Sequence, residues 1–152
     1  MILLNPGPVN VSERVRQALL RPDICHREAE FTELLHGIQA KLLKLFVPGA
    51  EADYAAVVLT GSGTAAVESA VMSSLPQGKR MLVLNNGVYG ERISQMVGLY
   101  RLGVSELKYD WTTRPDPERL RLALRQHPEA HAVAMVHHET TTGLINPVKE
   151  IA

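Results

Sequence analysis

The sequence predicts an α/β protein whose sheet is mostly parallel and flanked by helices. From about residue 54 onward, short apolar runs bounded by turn residues alternate with segments of helical periodicity, which is the pattern of β-α-β units. The apolar runs are hydrophobic on both faces, as strands buried between two layers of helices are. The segments between them are long enough for the crossover connections that join parallel strands.

Residues 1–50 are predicted to form an amino-terminal segment of extended chain and helices. Two prolines and a glycine at residues 5–8 are incompatible with a helix there. Ser12 is a predicted N-cap for a short helix that ends before Pro22. A longer amphipathic helix is predicted at residues 28–46, because apolar residues recur there at helical spacing and Pro48-Gly49 ends the pattern.

Residues 51–152 are predicted to be an incomplete α/β domain. The predicted strands lie at residues 55–59, 81–84, 104–109 and 132–136, and the predicted helices at residues 64–74, 91–102 and 117–126. Asp116 is expected to cap the last of these helices, and Pro117 fits its first turn. A further helical pattern after Pro147 ends within a few residues, with no closing strand, so we expect the domain to be truncated.

Composition and charge narrow the class of protein. The 16 basic residues balance the 16 acidic residues, and no run of like charge stands out, so the sequence does not favour nucleic acid or an anionic membrane as a partner. No apolar stretch approaches the roughly 20 residues of a membrane-spanning helix. Cys25 is the only cysteine, which excludes an internal disulfide, and the first residues lack the apolar region of a secretion signal. We therefore expect a cytoplasmic protein that acts on a small molecule.

The segment at residues 59–66 is a candidate phosphate-binding turn between a predicted strand and a predicted helix. Small residues allow the backbone to approach a phosphate, while free N–H groups and the helix dipole face it. The hydroxyls of Ser62 and Thr64, on either side of Gly63, add further donors. Taken alone, this segment is explained equally well by a tight strand-to-helix connection that binds nothing.

Two better-known phosphate motifs compete for the same residues. A Walker A motif is excluded, because neither Gly-Lys-Ser nor Gly-Lys-Thr occurs in the chain. Gly61, Gly63 and Ala66 do match the dinucleotide fingerprint G-x-G-x-x-A. However, the next strand ends in Asn85 and Asn86, where a ribose-binding acid is expected. A dinucleotide site therefore remains the second interpretation.

Two further clusters follow predicted strands, at the sheet edge where open α/β domains bind ligands. In residues 85–92, Tyr89 stands between two glycines and could face a flat ring, although a half-buried tyrosine in an ordinary turn is the simpler interpretation.

In residues 136–147, His137 and His138 are adjacent and point in different directions, so they make a poor metal site. A general base formed by a His-Glu pair and a solvated turn both remain open interpretations.

Four segments taken together resemble the class V aminotransferases in order and in spacing, and the resemblance spans the whole chain. They are Asn-Pro-Gly-Pro at 5–8, Gly-Ser-Gly-Thr at 61–64, Asn-Gly-Val-Tyr-Gly-Glu-Arg at 86–92 and His-His-Glu-Thr-Thr-Thr-Gly-Leu-Ile-Asn-Pro at 137–147. Within the class, they are most similar to the 2-aminoethylphosphonate:pyruvate aminotransferases, with the alanine:glyoxylate aminotransferases second. The resemblance implies the amino-terminal part of the large domain of a fold-type I aminotransferase.

The same resemblance implies a cofactor, substrates and an assembly. The cofactor would be pyridoxal 5'-phosphate, the amino donor 2-aminoethylphosphonate or a related amine, and the acceptor the 2-oxo acid pyruvate. The residues implied are Ser62, Gly63 and Thr64 at the cofactor phosphate, Tyr89 stacked on the pyridine ring, Thr140 near the phenolic oxygen, and Gly7 and Pro8 beside the substrate. Because members of the family are homodimers with sites at the interface, a homodimer is implied for the intact enzyme.

The resemblance also implies which catalytic groups this chain lacks. In the family, a later aspartate pairs with the ring nitrogen, a subsequent lysine forms the Schiff base, and an arginine binds the substrate carboxylate. The lysines present lie outside any matching context: Lys41, Lys44, Lys79, Lys108 and Lys149. We therefore expect no catalytic residue in this chain and no transamination by it alone. The competing hypotheses are a non-catalytic nucleotide- or phosphate-binding module and a shortened gene product without a stable fold.

Overall fold

The structure is a computed structural model that describes residues 2–3 and 6–152 of the chain. Asn5, the first residue of the amino-terminal motif, lies outside the described residues. The chain forms two compact units: residues 11–60, and residues 61–152 together with the described residues before Val11. The division into residues 1–50 and 51–152 that the sequence suggests stays a prediction.

Residues 11–60 contain two α-helices. Helix α1 spans Glu13–Ala18, and the Ser12 side chain accepts a hydrogen bond from the Val15 N–H at 3.4 Å, which confirms Ser12 as the N-cap. Helix α2 spans Ala29–Phe46, which confirms the long helix. Gly49 after it has a φ of 85°, in the left-handed region that favours glycine, so the Pro-Gly pair does end the helical segment.

The predicted strand at residues 55–59 is wrong. A 3₁₀ helix spans Glu51–Asp53, and the residues after it pair with no strand in the described part of the chain. Val57 and Leu59 are 76% and 77% exposed. An apolar run becomes a strand only where a neighbouring strand satisfies its backbone groups and covers its side chains, so strand propensity alone does not suffice here.

The second unit is built on a three-stranded parallel sheet. Strand β1 spans Arg80–Asn85 and lies at the centre, with β2 (Gly103–Lys108) on one side and β3 (Ala130–Met135) on the other. These three strands confirm the predictions made for residues 81–84, 104–109 and 132–136. The parallel pairing on both sides of β1 confirms the predicted sheet type.

Three helices flank the sheet. Helix α3 spans Gly63–Ser74, α4 spans Val88–Leu99 and connects β1 to β2, and α5 spans Pro117–Gln126 and connects β2 to β3. The Asp116 side chain accepts a hydrogen bond from the Glu118 N–H at 3.0 Å, which confirms the predicted cap of α5. Helix α4 begins earlier than predicted: its N-cap is Gly87 and its first residue is Val88.

Strand β1 is buried on both faces, which explains its unbroken apolar sequence. On one face, Met81 and Val83 pack in a core with Val71 and Leu75 of the α3 segment and with Ile93 and Val97 of α4. On the other face, Leu82 and Leu84 pack against Leu120 and Ala123 of α5. Burial of such side chains stabilises the fold by about 1.5–3 kcal/mol each. The packing of β1 therefore stabilises the helices on both faces of the sheet.

A short antiparallel hairpin follows β3 and was not predicted. Strand β4 (His138–Glu139) pairs with β5 (Leu144–Ile145), and Gly143 in the turn has a φ of 75°. Helix α6 follows at Val148–Ile151, in agreement with the helical pattern after Pro147. Within the described ranges, none of the helices combines the length and the apolar character that spanning a bilayer requires.

Candidate functional site

The strand order makes the carboxyl ends of β1 and β3 the candidate place for a ligand. The chain leaves β1 to form β2 on one side of it and returns to form β3 on the other, and open α/β sheets bind ligands at such a reversal. A cavity of about 450 Å³ lies between α3, α4 and the last residues of β3. The residues with functional groups or free backbone that line it are Gly63, Thr64, Tyr89, Arg92 and His137, and its remaining lining comes from apolar side chains of α3 and α4 and from residues 133–136.

The amino terminus of α3 forms one wall of this cavity. The Ser62 side chain caps the helix by accepting a hydrogen bond from the Ala65 N–H at 3.2 Å. The N–H groups of Gly63 and Thr64 have no hydrogen-bond partner among the described residues. These free donors and the positive end of the helix dipole together favour an anion. A Cβ atom at Gly63 would have no neighbour within 4 Å, so a ligand can approach its backbone.

Tyr89 lies in the first turn of α4 and contributes an aromatic face to the same cavity. Its side chain is 37% exposed, and the guanidinium carbon of Arg92 lies 4.8 Å from the ring centroid, which is a cation–π contact. Arg92 itself lines the cavity and is half-buried. Arg92 was not among the predicted site residues, although its position three residues after Tyr89 on a helix was the available signal.

A buried carboxylate connects the segment before α4 to the hairpin. Glu139 is 0% exposed, and its Oε1 accepts hydrogen bonds from the Thr141 N–H at 3.2 Å and from Thr141 Oγ1 at 2.6 Å. A Cβ atom at Gly87 would lie 2.4 Å from Cδ of Glu139. The carboxylate therefore occupies the space that any larger residue at position 87 would need.

The remaining predicted site residues lie elsewhere. Thr140 is half-buried in the turn between β4 and β5 and is not among the residues that line the cavity. Gly7 and Pro8 do not line it either. The structure thus brings Gly63, Thr64 and Tyr89 together at one cavity, with Ser62 immediately beside it.

On the other side of β1, an acidic side chain is held in its ionised form. Glu106 lies 3.1 Å from the Lys108 ammonium group and accepts a hydrogen bond from Asn85 Nδ2 at 3.3 Å. Burial acts to raise the pKa of the Glu106 carboxyl, but the nearby Ser94 hydroxyl, the hydrogen bonds from Lys108 and Asn85 and the charge of Lys108 outweigh it and lower the pKa below the usual 4.5. In the described part of the chain, no group of three His, Cys, Asp or Glu side chains is placed to hold a metal ion.

The fold and the cavity define a class of protein: a doubly wound α/β domain with a candidate ligand site beside its sheet. The cavity offers free backbone donors for an anionic group at one wall and an exposed aromatic ring at another. A flat ring that carries a phosphate fits this donor set, because the two features face the same cavity.

The chain belongs to the class V aminotransferase family, because residues 12–152 match the family described as Aminotransferase class-V. It is 39% identical over 150 residues to the 2-aminoethylphosphonate–pyruvate transaminase of Syntrophobacter fumaroxidans. It is also 39% identical over 153 residues to the enzyme of that name from Aeromonas hydrophila. Each alignment covers 99% of this chain and 40% of the relative, so the chain spans well under half of these proteins.

Solved structures agree with this assignment. The pyridoxamine–pyruvate aminotransferase of Mesorhizobium loti superposes with a TM-score of 0.84 at 27% identity, covering 99% of this chain and 38% of that one. The alanine–glyoxylate aminotransferase of a Nostoc species superposes with a TM-score of 0.78 at 32% identity, covering 96% of this chain and 38% of that one. The predicted fold class, part of a fold-type I aminotransferase, is confirmed. The comparisons give no support to a non-catalytic binding module.

Proposed function

We propose that this chain contributes the phosphate-binding and ring-binding part of a pyridoxal-phosphate-dependent enzyme that transfers an amino group from 2-aminoethylphosphonate, or a related amine, to pyruvate. The observation that carries the proposal is the meeting of the α3 amino terminus and the Tyr89 ring at one cavity. The substrates are suggested by the relatives at 39% identity, whose names specify 2-aminoethylphosphonate and pyruvate. Bound pyridoxal phosphate would supply the electron sink that amino-group transfer needs.

Each residue of the proposed site has a distinct task. Ser62, Gly63 and Thr64 would hold the cofactor phosphate through backbone N–H groups and hydroxyls, as the free donors at the α3 amino terminus suggest. Tyr89 would lie against the pyridine ring and limit its tilt. Thr140 would donate near the phenolic oxygen of the cofactor.

The remaining elements of the proposal concern the intact enzyme. Gly7 and Pro8 would pass beside the substrate. The active form would be a cytoplasmic homodimer, and residues 51–152 would belong to its cofactor-binding domain. The Schiff-base lysine would come from outside this chain, whose five lysines lie outside a matching context.

An alanine–glyoxylate reaction is the second candidate for the same site. It is favoured by the superposition on the Nostoc enzyme, which is named for that activity and is 32% identical. Both candidates require the same cofactor, so the cofactor is the part to test on this chain.

The test is equilibrium dialysis of the purified chain against pyridoxal phosphate, with NADH as the parallel probe. We expect pyridoxal phosphate to bind and inorganic phosphate to compete with it. Thr64→Val should weaken this binding about tenfold, the cost of losing a hydrogen bond to a charged group. Thr32→Val on α2 should leave it unchanged. Retention of NADH in place of pyridoxal phosphate would overturn the proposal.

A second measurement addresses the missing lysine. We expect borohydride treatment of the chain with pyridoxal phosphate to leave no single lysine specifically labelled, as judged by peptide mass spectrometry. We also expect no alanine from 2-aminoethylphosphonate and pyruvate with this chain alone. A stoichiometric label on one lysine would show that the chain does carry a Schiff-base residue.

A further inference from the structure

Glu139 and Gly87 form a contact between the two segments that carry Tyr89 and Thr140. Gly87 is the N-cap of α4, whose first turn contains Tyr89. Glu139 ends strand β4 and precedes the turn that contains Thr140. The hypothetical Cβ of Gly87 would approach three atoms of the Glu139 side chain within 2.7 Å, so the two residues are in direct contact.

Position 87 must be a glycine because of this contact, and not because of its backbone conformation. Its φ of 174° is extended and is available to any residue. A side chain at position 87 is therefore excluded because Glu139 already fills the space. The contact lies at the N-cap of α4, two residues before Tyr89.

The other end of the same carboxylate holds the hairpin turn. Oε1 of Glu139 accepts from both the N–H and the hydroxyl of Thr141, and the Gly143 N–H donates to the Glu139 carbonyl at 2.8 Å. Thr140 lies between two residues that are fixed in this way. Glu139 Oε2 is buried and has no hydrogen-bond partner among the described residues, so shape and packing at Gly87 locate that oxygen.

We infer that Glu139 is a positioning residue that fixes the Tyr89 segment and the Thr140 turn relative to each other by packing on Gly87 and binding Thr141. The inference rests on the proposed function, because it concerns the spacing of two groups that would contact one cofactor. Removing the side chain uncouples the two segments. Glu139→Gln keeps the shape of the side chain and its Oε1 acceptor, and therefore retains the coupling.

The first experiment needs no cofactor and compares amide ¹H–¹⁵N chemical shifts of the whole chain. Glu139→Ala is expected to shift the amides of both Tyr89 and Thr140, and Glu139→Gln is expected to return both towards their original positions. Leu120→Ala, a core substitution on the α5 face of the sheet, is the matched control and should move neither. Shifts confined to Thr140 and Thr141 after Glu139→Ala, or equal shifts in the control, would overturn the inference.

Gly87→Ala tests the contact from its other side and remains informative if Glu139→Ala does not fold. The added methyl group collides with Glu139 and should shift the Thr140 amide, although position 87 lies in another segment. The double variant Gly87→Ala/Glu139→Ala should match Glu139→Ala alone, because the collision is gone. Additive effects of the two substitutions would contradict a direct contact.

Cofactor binding provides the second readout. Glu139→Ala should weaken pyridoxal phosphate binding at least about tenfold and Glu139→Gln should restore it, since bound groups must be held within about 0.5 Å. If the unmodified chain does not bind pyridoxal phosphate, the proposed function fails while the chemical shifts still decide the role of Glu139. If it binds and Glu139→Ala binds equally well, the positioning role fails while the proposed function stands.

Discussion

The side-chain amides of Asn86 and Asn146, 60 residues apart in the sequence, hydrogen-bond to each other in both directions. Asn86 Nδ2 donates to Asn146 Oδ1 at 2.8 Å, and Asn146 Nδ2 donates to Asn86 Oδ1 at 3.2 Å. The residues are only 1% and 2% exposed. Their other amide protons reach the carbonyls of Thr113 at 2.9 Å and Val136 at 2.7 Å. The pair thus joins the segments that follow β1, β2 and β3.

Asn146→Ala should lower the free energy of unfolding by about 1–3 kcal/mol, because Oδ1 of the buried Asn86 and the Val136 carbonyl both lose the hydrogen bond that Asn146 donates. Urea unfolding of the two proteins measures this difference. In the double variant with Asn86→Ala, the loss should be smaller than the sum of the single losses. Strictly additive losses would mean that the two amides do not depend on each other.

Ser62→Ala should cost about 1 kcal/mol of stability through the lost helix cap and should also weaken pyridoxal phosphate binding. Ser12→Ala removes the equivalent cap from α1 and serves as the control. It should reduce stability by a similar amount without changing cofactor affinity. Thermal unfolding and equilibrium dialysis separate the two effects, and equal loss of affinity in both variants would show that only stability is involved.

Tyr89→Leu should weaken pyridoxal phosphate binding by about tenfold, because it removes the aromatic face at the cavity. Tyr89→Phe retains that face and should bind nearly as well as the original chain. Tyr100→Leu is the control. Tyr100 lies after α4, donates a hydrogen bond to the Glu68 carboxyl group and does not line the cavity. Fluorescence titration with the cofactor provides the affinities. An unchanged affinity of Tyr89→Leu for pyridoxal phosphate would show that the Tyr89 ring is not part of the binding site.

Glu106 should contribute to the acid sensitivity of the fold. Because its pKa is lowered in the folded state below the usual 4.5, its stabilising effect is complete above that value and is lost as the pH falls through the folded-state pKa. Glu106→Gln should therefore lose less stability than the original chain between neutral pH and about pH 3. Urea midpoints at the two pH values test this. The same loss in both proteins would show that other carboxyl groups account for it.

The periodicity of apolar residues was sufficient to predict the helices and strands that carry their own signal, in their apolar pattern and their capping residues. Strand β1 is apolar on both faces because helices cover both, and α5 begins with a capping aspartate followed by a proline. The run at 55–59 has the same apolar character but no neighbouring strand in the described chain, so periodicity alone misassigned it. The hairpin of β4 and β5 has strands of two residues each, which is too short for any period to appear.

The candidate site was predictable in its local parts and not in its long-range contacts. The glycine and hydroxyl residues at 62–64 and the aromatic residue Tyr89 are visible as turns after predicted strands, and three of these residues line one cavity. The Asn86–Asn146 pair and the Gly87–Glu139 contact join residues that are distant in the sequence. Neither pattern nor spacing reveals such partners, because only the folded sheet brings the ends of β1 and β3 together.

The close contact between Gly87 and Glu139 limits which substitutions this sequence can accept at the two positions. A mutation to alanine at position 87 meets the Glu139 carboxylate at once, while a shorter residue at position 139 leaves a void beside Gly87. A shorter residue at position 139 removes the collision with alanine at position 87, but it also removes the acceptor for the Thr141 N–H and hydroxyl. Positions 87 and 139 are therefore expected to covary among descendants of this chain, with a large residue permitted at one only where a small residue stands at the other.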